Sequence, residues 1–322
     1  SRDFRLIDFC RFNLPGEINM KKLINNIYLL ELPQFNYPFC NCLWIEDEIN
    51  CLMDSSPIDE ELARLNGKKL DLIVNSHGHI DHNRSNYLFP EAKVLLHESN
   101  FPLVESREGY LKAFGFDRLL DESWQNYYLD APGYQPRPAD GTLEDGQIIS
   151  LGSTVFQVLH LPGHIYGHCG FFFPDDGLVF TADIDLNLFG PWYGNMTSDV
   201  DDFINSIERL IQMDPAILVT GHGQKVYTSG IKPRLAAYRD TMYSREEEII
   251  KLLHRGKRTV SEIGAEKPIY RRFLEPDRIF YLYECVMDWK HLQRLERLGR
   301  VSCHNGKYHL NEGIRPSNLN LG

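Results

Sequence analysis

The stretch Ser76-His77-Gly78-His79-Ile80-Asp81-His82 carries three histidines and one aspartate within six residues. It follows the apolar run Leu70-Asp71-Leu72-Ile73-Val74, which predicts a short β-strand. A loop that leaves a strand end can direct neighbouring side chains toward one point. Imidazole nitrogens together with carboxylate oxygens are ligands suited to Zn, Fe or Mn. Four ligand-type residues in six positions are unusual on a solvated surface, so this stretch predicts a metal site.

Three further residues of ligand type each follow a predicted strand. His164 comes after the run ending at His160, Asp183 after Leu178 to Phe180, and His222 after Ala216 to Val219. Each stands beside a small residue, which lets the backbone approach a crowded site. Taken singly, any of the three is also compatible with a structural role.

In order and spacing, this set resembles the metal-ligand signature of the metallo-β-lactamase superfamily over residues ~25 to 225. The resemblance implies an α/β (α+β) fold, the four-layer αββα sandwich, with the site along one edge of two sheets. The seven residues that carry the resemblance are His77, His79, Asp81, His82, His164, Asp183 and His222.

The resemblance also implies a role for each residue. One ion would be bound by His77, His79 and His164, and a second by Asp81, His82 and His222, with Asp183 bridging the two. Asp54, after an early strand, would support the ligands, and His168 would have a supporting or structural role. Two divalent ions, Asp81, Asp183 and a bound hydroxide together carry about +1, which favours attack of that hydroxide on a carbonyl or phosphoryl centre.

The chain departs from the family pattern at two places. Asn83 follows the Asp81-His82 pair, where relatives often have Gly, and Ser55 replaces a Gly after the early Asp. These departures concern the shape of the loops and the substrate contacts. His79 stands where flavodiiron relatives carry Glu, which disfavours a redox diiron centre. The ligand set is more similar to the glyoxalase II, lactonase and nuclease branches than to β-lactam hydrolases.

Two aromatic segments are candidates for a substrate pocket. Residues 100–145 predict one or two short helices and a long loop, and residues 188–194 follow the bridging Asp183. In the second segment Phe189, Trp192 and Tyr193 are candidate substrate contacts, with packing or a dimer contact as the alternative. Arg84 is a candidate contact for an anionic substrate group, with a surface salt bridge as the alternative.

The 322 residues and their charge distribution predict two domains. Residues 1–230 carry 16 Lys and Arg against 33 Asp and Glu, whereas residues 231–322 carry 18 against 12. The net charge of -11 disfavours a dedicated nucleic-acid binder. After residue 230 the pattern predicts a long helix and a small, mostly helical module that resembles a winged helix, with Asn305-Gly306 in its hairpin.

Composition excludes several classes of protein. The 43% hydrophobic content is that of a globular chain and excludes disordered, collagen-like or coiled-coil proteins. No apolar run is long enough for a membrane span, and the opening Ser1 to Arg5 lacks the apolar core of a signal peptide. Seven cysteines are an odd number over a long chain, which predicts a reducing, cytoplasmic environment.

These observations predict a dinuclear metal-dependent hydrolase. It would act on a small-molecule ester, thioester or lactone, with two divalent metal ions, zinc first and Fe or Mn as alternatives. Two other hypotheses stay open: a phosphodiesterase or ribonuclease that uses the basic C-terminal region, and a non-catalytic binding protein that retains the fold. Among partners, the prediction includes the small-molecule substrate and no membrane, and leaves a homodimer open.

Overall fold

The computed structural model describes residues 20–223 and 225–314, so the opening Ser1 to Arg5 lies outside the described residues. Two β-sheets face each other and enclose the main hydrophobic core. Helices cover both outer faces, so the predicted four-layer sandwich is confirmed. None of the described helices combines the length and the apolar character that crossing a membrane requires.

The first sheet has seven strands in sequence order. Its first four strands pair antiparallel, whereas the fourth to the seventh pair parallel. The strands are β1 Lys21–Ile24, β2 Ile27–Leu30, β3 Cys42–Ile45, β4 Cys51–Met53, β5 Leu72–Val74, β6 Lys93–Leu96 and β7 Gly141–Thr142. The sequence patterns did not predict β1 or the two-residue β7.

The second sheet has six strands in the order β13-β12-β11-β10-β9-β8. Among the described strands of this sheet, β11 and β12 are parallel neighbours and all other neighbours are antiparallel. The strands are β8 Ile148–Ser150, β9 Val155–His160, β10 Cys169–Phe173, β11 Leu178–Phe180, β12 Ile217–Val219 and β13 Val226–Tyr227. Here β13, which is two residues long, was not predicted.

Successive side chains of a strand point to opposite faces of its sheet, so each strand contributes to the core between the sheets and to the packing of the outer helices. In β4, Cys51 and Met53 point into the core between the sheets, whereas Leu52 packs on the outer face. Strand β11 repeats this pattern, since Leu178 and Phe180 face inward and Val179 faces outward. Because both faces of these strands are covered, the sequence reads as continuous apolar runs.

Helices fill the outer layers. The short helix α1 Asp59–Leu62 packs on the outer face of the first sheet, and α7 Val200–Met213 packs on that of the second. Residues 80–83 form a single turn, α2 Ile80–Asn83. Between residues 100 and 145 the structure has four helices, so the prediction of one or two was wrong, whereas the predicted loop follows them over residues 131–140. They are α3 Phe101–Glu105, α4 Arg107–Ala113, α5 Phe116–Leu119 and α6 Glu122–Asp130.

The C-terminal region consists of three helices and a hairpin: α8 Ile231–His254, α9 Val260–Gly264, α10 Asp277–Arg297, and β14 Val301–His304 with β15 Lys307–Leu310. The first half of α8 packs against the second sheet and α7 through Leu235 and Met242. Its second half packs with α9, α10 and the hairpin through Ile249 and Leu253. The hairpin turns at Asn305-Gly306 as predicted. The winged-helix resemblance and the domain boundary after residue 230 stay predictions.

Candidate metal centre

Strand directions explain why residues far apart in sequence meet. Strands β4 and β5 are parallel, so Asp54 and the stretch beginning at His77 leave the first sheet at the same edge. In the second sheet β9, β11 and β12 run in one direction, since β10 is antiparallel to both β9 and β11. His164, Asp183 and His222 therefore leave that sheet at one edge. The amide of Cys169 donates to the carbonyl of Ser76 at 2.8 Å and joins the two edges.

His77, His79 and His164 form the first group of candidate ligands. Nε2 of His77 lies 3.0 Å from Nδ1 of His79 and 3.2 Å from Nε2 of His164. Nδ1 of His79 lies 2.9 Å from Nε2 of His164. All three side chains are buried. The structure thus brings together the three residues predicted for one ion.

Asp81, His82 and His222 form the second group. Nε2 of His222 lies 3.3 Å from Oδ2 of Asp81 and 3.3 Å from Nε2 of His82. Asp81 and His82 are neighbours in the single turn α2, and both side chains approach Nε2 of His222. His222 follows β12 and comes from the opposite sheet.

Asp183 lies between the two groups. Its Oδ1 is 2.8 Å from Nε2 of His82 and 3.5 Å from Nε2 of His222. Its Oδ2 is 3.2 Å from Nε2 of His164. One carboxylate oxygen therefore faces each group, which is the placement that a bridging ligand requires.

These side chains fit two divalent cations. Three imidazole nitrogens face one another in the first group within 3.2 Å, and hydrogen bonds among them cannot satisfy every lone pair. Oδ1 of Asp183 is buried, and although Nε2 of His82 lies 2.8 Å away, no described residue makes a hydrogen bond of good geometry to this oxygen. A cation in each group would satisfy both, and nitrogen with carboxylate oxygen is a donor set that Zn, Fe and Mn accept.

Hydrogen bonds made by Nδ1 orient the imidazoles of two candidate ligands, His82 and His164. Asp54 is buried, and its Oδ2 lies 2.7 Å from Nδ1 of His82. Asp54 also accepts hydrogen bonds from the amide (2.7 Å) and the hydroxyl (2.9 Å) of Ser76. Nδ1 of His164 donates to the carbonyl of Trp192 at 2.8 Å. A partner on Nδ1 leaves Nε2 free to bind a metal, so these contacts select the tautomer that ligation needs.

His168 makes hydrogen bonds with backbone atoms near the candidate ligands and not with the ligand atoms themselves. Its Nδ1 donates to the carbonyl of Leu161 at 3.0 Å, and its Nε2 accepts from the amide of Asp183 at 3.3 Å. The structure thus places both predicted supporting residues, Asp54 and His168, against candidate ligands.

Unusual backbone conformations precede two of the ligands. Gly163 has φ +130°, and a Cβ there would lie 2.2 Å from Cα of Phe203, so only glycine fits before His164. Ala182 has φ 44°, in the left-handed region that L-residues rarely adopt. Such strain persists where the surrounding structure enforces it, and it is common at functional sites. Here it directs Asp183 between the two groups.

The two groups differ electrostatically. Burial lowers the pKa of His77 and His79, and the neighbouring imidazoles lower it further. For His82, burial acts in the same direction, but the carboxylates of Asp183, Asp54 and Asp81 outweigh it and raise the pKa. In return, the imidazoles around Asp183 outweigh its burial and hold the pKa of that carboxyl well below its usual range. The carboxylates therefore raise the pKa of the imidazoles in the second group, whereas burial dominates in the first.

An aromatic wall lies beside the first group. The Trp192 ring is 5.3 Å from the His164 ring and 5.8 Å from the His79 ring, and Phe114 lies 5.2 Å from His79. Tyr283 packs at 5.1 Å from Trp192. On the other side, the largely exposed Phe35 lies 5.5 Å from the His222 ring. Apolar side chains on two sides of the ligand groups suit a substrate with an apolar group next to the reacting bond.

The other predicted substrate contacts lie elsewhere. Tyr193 is fully buried, and its hydroxyl contacts Arg245 and His291 instead of the metal-binding groups. Phe189 packs on Tyr270 and Arg245.

Arg84 donates to the carbonyl of Pro132 at 3.2 Å, and its guanidinium lies 5.1 Å from the Phe39 ring. Among the described residues no ion pair is found for Arg84, so the predicted alternative of a surface salt bridge stays a prediction.

Sequence reasoning missed several residues at the site. Tyr283 comes from α10, in a region that was interpreted as a separate module, and no local motif marks it. Asn195 lies 3.5 Å from Nε2 of His79 through its Nδ2 and also has no motif. Phe35 stands in a loop between two strands, where aromatic residues in the segment 33–39 were the available sign.

The amino-acid sequence of this chain is similar to those of known hydrolases. The chain is 28% identical over 213 residues to hydroxyacylglutathione hydrolase GloC of Haemophilus influenzae, covering 62% of this chain and 91% of that protein. It is also 28% identical over 172 residues to an acyl-coenzyme A thioesterase of Bos taurus, covering 50% of this chain and 58% of that one.

A solved structure shares the fold over most of the chain. A metallo-beta-lactamase family protein from Thermus thermophilus superposes with a TM-score of 0.68 at 20% identity, covering 90% of this chain and all of that one. The model of the Metallo-beta-lactamase superfamily matches residues 49–222, a range that holds all seven candidate ligands. The chain therefore belongs to the metallo-beta-lactamase superfamily, and it is a hydrolase of that superfamily with a cluster of side chains able to bind metal ions.

Proposed function

We propose that this protein is a dinuclear metal-dependent thioesterase that acts on small-molecule acyl thioesters. The observation that carries the proposal is the position of Asp183, whose two oxygens face two separate groups of ligands. Zinc is the metal we expect, with Fe and Mn as alternatives that the same ligands accept. When bound, two such ions lower the pKa of a water molecule and polarise the carbonyl to be attacked.

The protein's own residues would bind and orient the substrate. The partly buried Trp192 offers an apolar ring beside the first group, where an acyl chain would pack, and the buried Phe114 lies 6.4 Å from that ring. The carbonyl of Trp192 holds His164 in place, so one residue both lines the wall and orients a ligand. Asp54 holds His82 in the same way on the other side.

The state of His168 favours thioesters over esters and lactones. Both of its ring nitrogens are hydrogen-bonded to the backbone, so this histidine has no nitrogen left to donate a proton to a leaving group. A thiolate leaves more readily without protonation than an alkoxide, because a thiol has a pKa near ~8.5. Two of the relatives named above are hydrolases of thioesters, which supports the same choice.

Ion pairs weaken the ribonuclease alternative. Arg294 pairs with Asp201 and Glu246, Arg297 pairs with Asp199 and Asp201, and Arg300 pairs with Glu246. Arg294 and Arg297 are thus paired with aspartates of the N-terminal part, and Arg300 is paired with Glu246 of the C-terminal region itself. The six described cysteines are free, which supports the proposal of a reducing, cytoplasmic location.

The test is a substrate comparison on the metal-loaded protein. Release of free thiol is followed with acyl-coenzyme A and hydroxyacylglutathione substrates, beside a lactone, a phosphodiester and single-stranded RNA. We expect thiol release, and a loss of about 100- to 1,000-fold in Asp183→Ala, because several kcal/mol of charge stabilisation are removed. Asp175→Ala, at an exposed aspartate in the turn between β10 and β11, is the control.

Thiol release that is absent with both sites loaded, or RNA cleavage that exceeds it, would contradict the proposal. Equal activity of folded Asp183→Ala and the unmodified protein would contradict the dinuclear mechanism.

A further inference from the structure

The loop between β11 and α7, residues 181–199, is held by the C-terminal helices. Arg245 of α8 is 4% exposed, and its guanidinium donates to the carbonyls of Phe189 and Pro191. It also donates to the hydroxyl of Tyr193 at 3.1 Å. A planar fork with five N–H donors matches several acceptors at once, as an ammonium cannot. One buried side chain therefore fixes the backbone of this loop at two points.

Helix α10 adds two further contacts to the same loop. Nζ of Lys290, which is 6% exposed, donates to the carbonyl of Met196 at 2.7 Å. Nε2 of His291 lies 2.7 Å from the hydroxyl of Tyr193. Burying cationic side chains costs free energy unless polar partners compensate, and here the loop supplies those partners. Residues from two helices thus hold the loop along residues 189–196.

The helices that hold the loop are themselves fixed to each other and to α7. Arg294 of α10 pairs with Glu246 of α8 at 2.6 Å and with Asp201 of α7 at 2.6 Å. Glu246 is buried and directly follows Arg245. The side chains that contact the loop therefore project from a well-anchored support.

The opposite side of the loop contacts the first group of candidate ligands. The carbonyl of Trp192, between the residues that Arg245 binds, accepts the hydrogen bond from Nδ1 of His164. The hydroxyl of Ser198 donates to the backbone carbonyl of His164 at 2.6 Å. Asn195, next to Met196, approaches Nε2 of His79 at 3.5 Å. A shift of this loop would therefore move or free two of the three imidazoles.

We infer that Arg245 and Lys290 are positioning residues of the metal centre, which act through the loop 181–199 on His164 and His79. The C-terminal helices are then part of the catalytic unit, and their buried basic residues serve the metal centre instead of binding nucleic acid. The inference rests on the proposed metal centre but not on the proposed substrate. Removing partners that orient a ligand imidazole typically weakens metal binding 10- to 100-fold.

The experiment compares Arg245→Met with the unmodified full-length chain. Affinity for Co²⁺ is measured by competition with a chelator, together with the visible spectrum of the bound ion, kcat and KM, and thermal unfolding. We expect about tenfold weaker binding at one of the two sites, an altered spectrum, and a lower kcat with little change in KM. Arg245→Lys, which keeps the charge but fewer donors, should restore part of the affinity.

Arg239→Met is the matched control, because Arg239 lies on the same helix and pairs with Glu208 and Asp240, without a contact to the loop. It should bind Co²⁺ with unchanged affinity. Lys290→Met tests the second contact independently and should weaken the same site.

A folded Arg245→Met protein with unchanged Co²⁺ affinity and spectrum would overturn the inference. If Arg245→Met does not fold, unchanged Co²⁺ binding by Lys290→Met would overturn the inference. If neither variant folds, unchanged Co²⁺ affinity and spectrum of Arg245→Lys would overturn it. Because Co²⁺ binding needs no substrate, failure of the thioesterase assay would leave this result independent.

Discussion

Replacing Asp54 by asparagine changes one atom of a buried side chain and reverses the direction of one of its hydrogen bonds. In the native protein both oxygens only accept: Oδ1 from the amide of Ser76, and Oδ2 from the hydroxyl of Ser76 and from Nδ1 of His82. The carboxamide has the same shape, but one of its two ends now donates. The site has donors at both ends, so neither orientation of the amide satisfies it.

The expected effect follows from these two orientations. If the new NH₂ group faces the Ser76 amide, two buried donors meet, at a cost of about 1–3 kcal/mol. If it faces His82, the imidazole is favoured in the other tautomer, with its proton on Nε2. That nitrogen lies 2.8 Å from Asp183 and 3.3 Å from His222 and must be unprotonated to bind an ion. We expect affinity for the second ion to fall 10- to 100-fold, or about 1.4–2.8 kcal/mol.

The assay is a calorimetric titration of the metal-free protein with Zn²⁺ or Co²⁺, which resolves two binding events. The binding event of the second group should weaken more in Asp54→Asn, because Asp54 contacts His82 directly but reaches His77 only through the hydroxyl of Ser76, which lies 3.0 Å from Nδ1 of His77. Asp59→Asn makes the same chemical change at an exposed residue of α1 and serves as the control. Unchanged affinity for both ions in a folded Asp54→Asn protein would refute the argument that Asp54 selects the tautomer of His82.

Two further predictions concern stability. Gly163→Ala would place a Cβ 2.2 Å from Cα of Phe203 at φ +130°, so urea unfolding should show a loss of about 3 kcal/mol. Gly67→Ala, with no atom within 4 Å of its Cβ, should lose much less, and equal losses would contradict the steric argument. The pKa of Asp47 is lowered because hydrogen bonds from Thr154, Ser153 and the Glu48 amide outweigh its burial. This carboxylate therefore stabilises the fold above its usual pKa of 3.8, and that contribution is lost as the pH falls below it. The Asp47→Asn protein should therefore have a lower free energy of unfolding at pH 7, and that free energy should fall less on acidification from pH ~5 to ~2.5. Chemical unfolding at each pH measures this difference. Parallel curves of stability against pH for the two proteins would contradict it.

The candidate ligands were predictable because each is marked locally. Every one follows an apolar run, and the polar or charged residue at the end of such a run stands out. These apolar runs do not determine the order of the strands in each sheet. The convergence of His164 and Asp183 with His77 depends on two sheets facing each other, and the resemblance to a family supplied that arrangement.

Other parts of the fold left no local pattern. Helices α3, α4, α5 and α6 are four to nine residues long, and such lengths give too few turns for a 3.6-residue period to be recognised. Strands β7 and β13 have two residues each and form only because a neighbour is present. Arg245 looks like any basic residue of an amphipathic helix, and its burial depends on the loop that covers it.

Helix α8 also has a consequence for how the molecule unfolds. Its first half belongs to the cluster around Leu235 and Met242, and its second half to the cluster around Ile249 and Leu253. A single 24-residue helix cannot lose one half of its packing without weakening the other. Amide hydrogens on both halves should therefore exchange with similar protection, and thermal unfolding should follow one cooperative transition. The helix that connects the two parts in sequence thus makes them a single unit in stability.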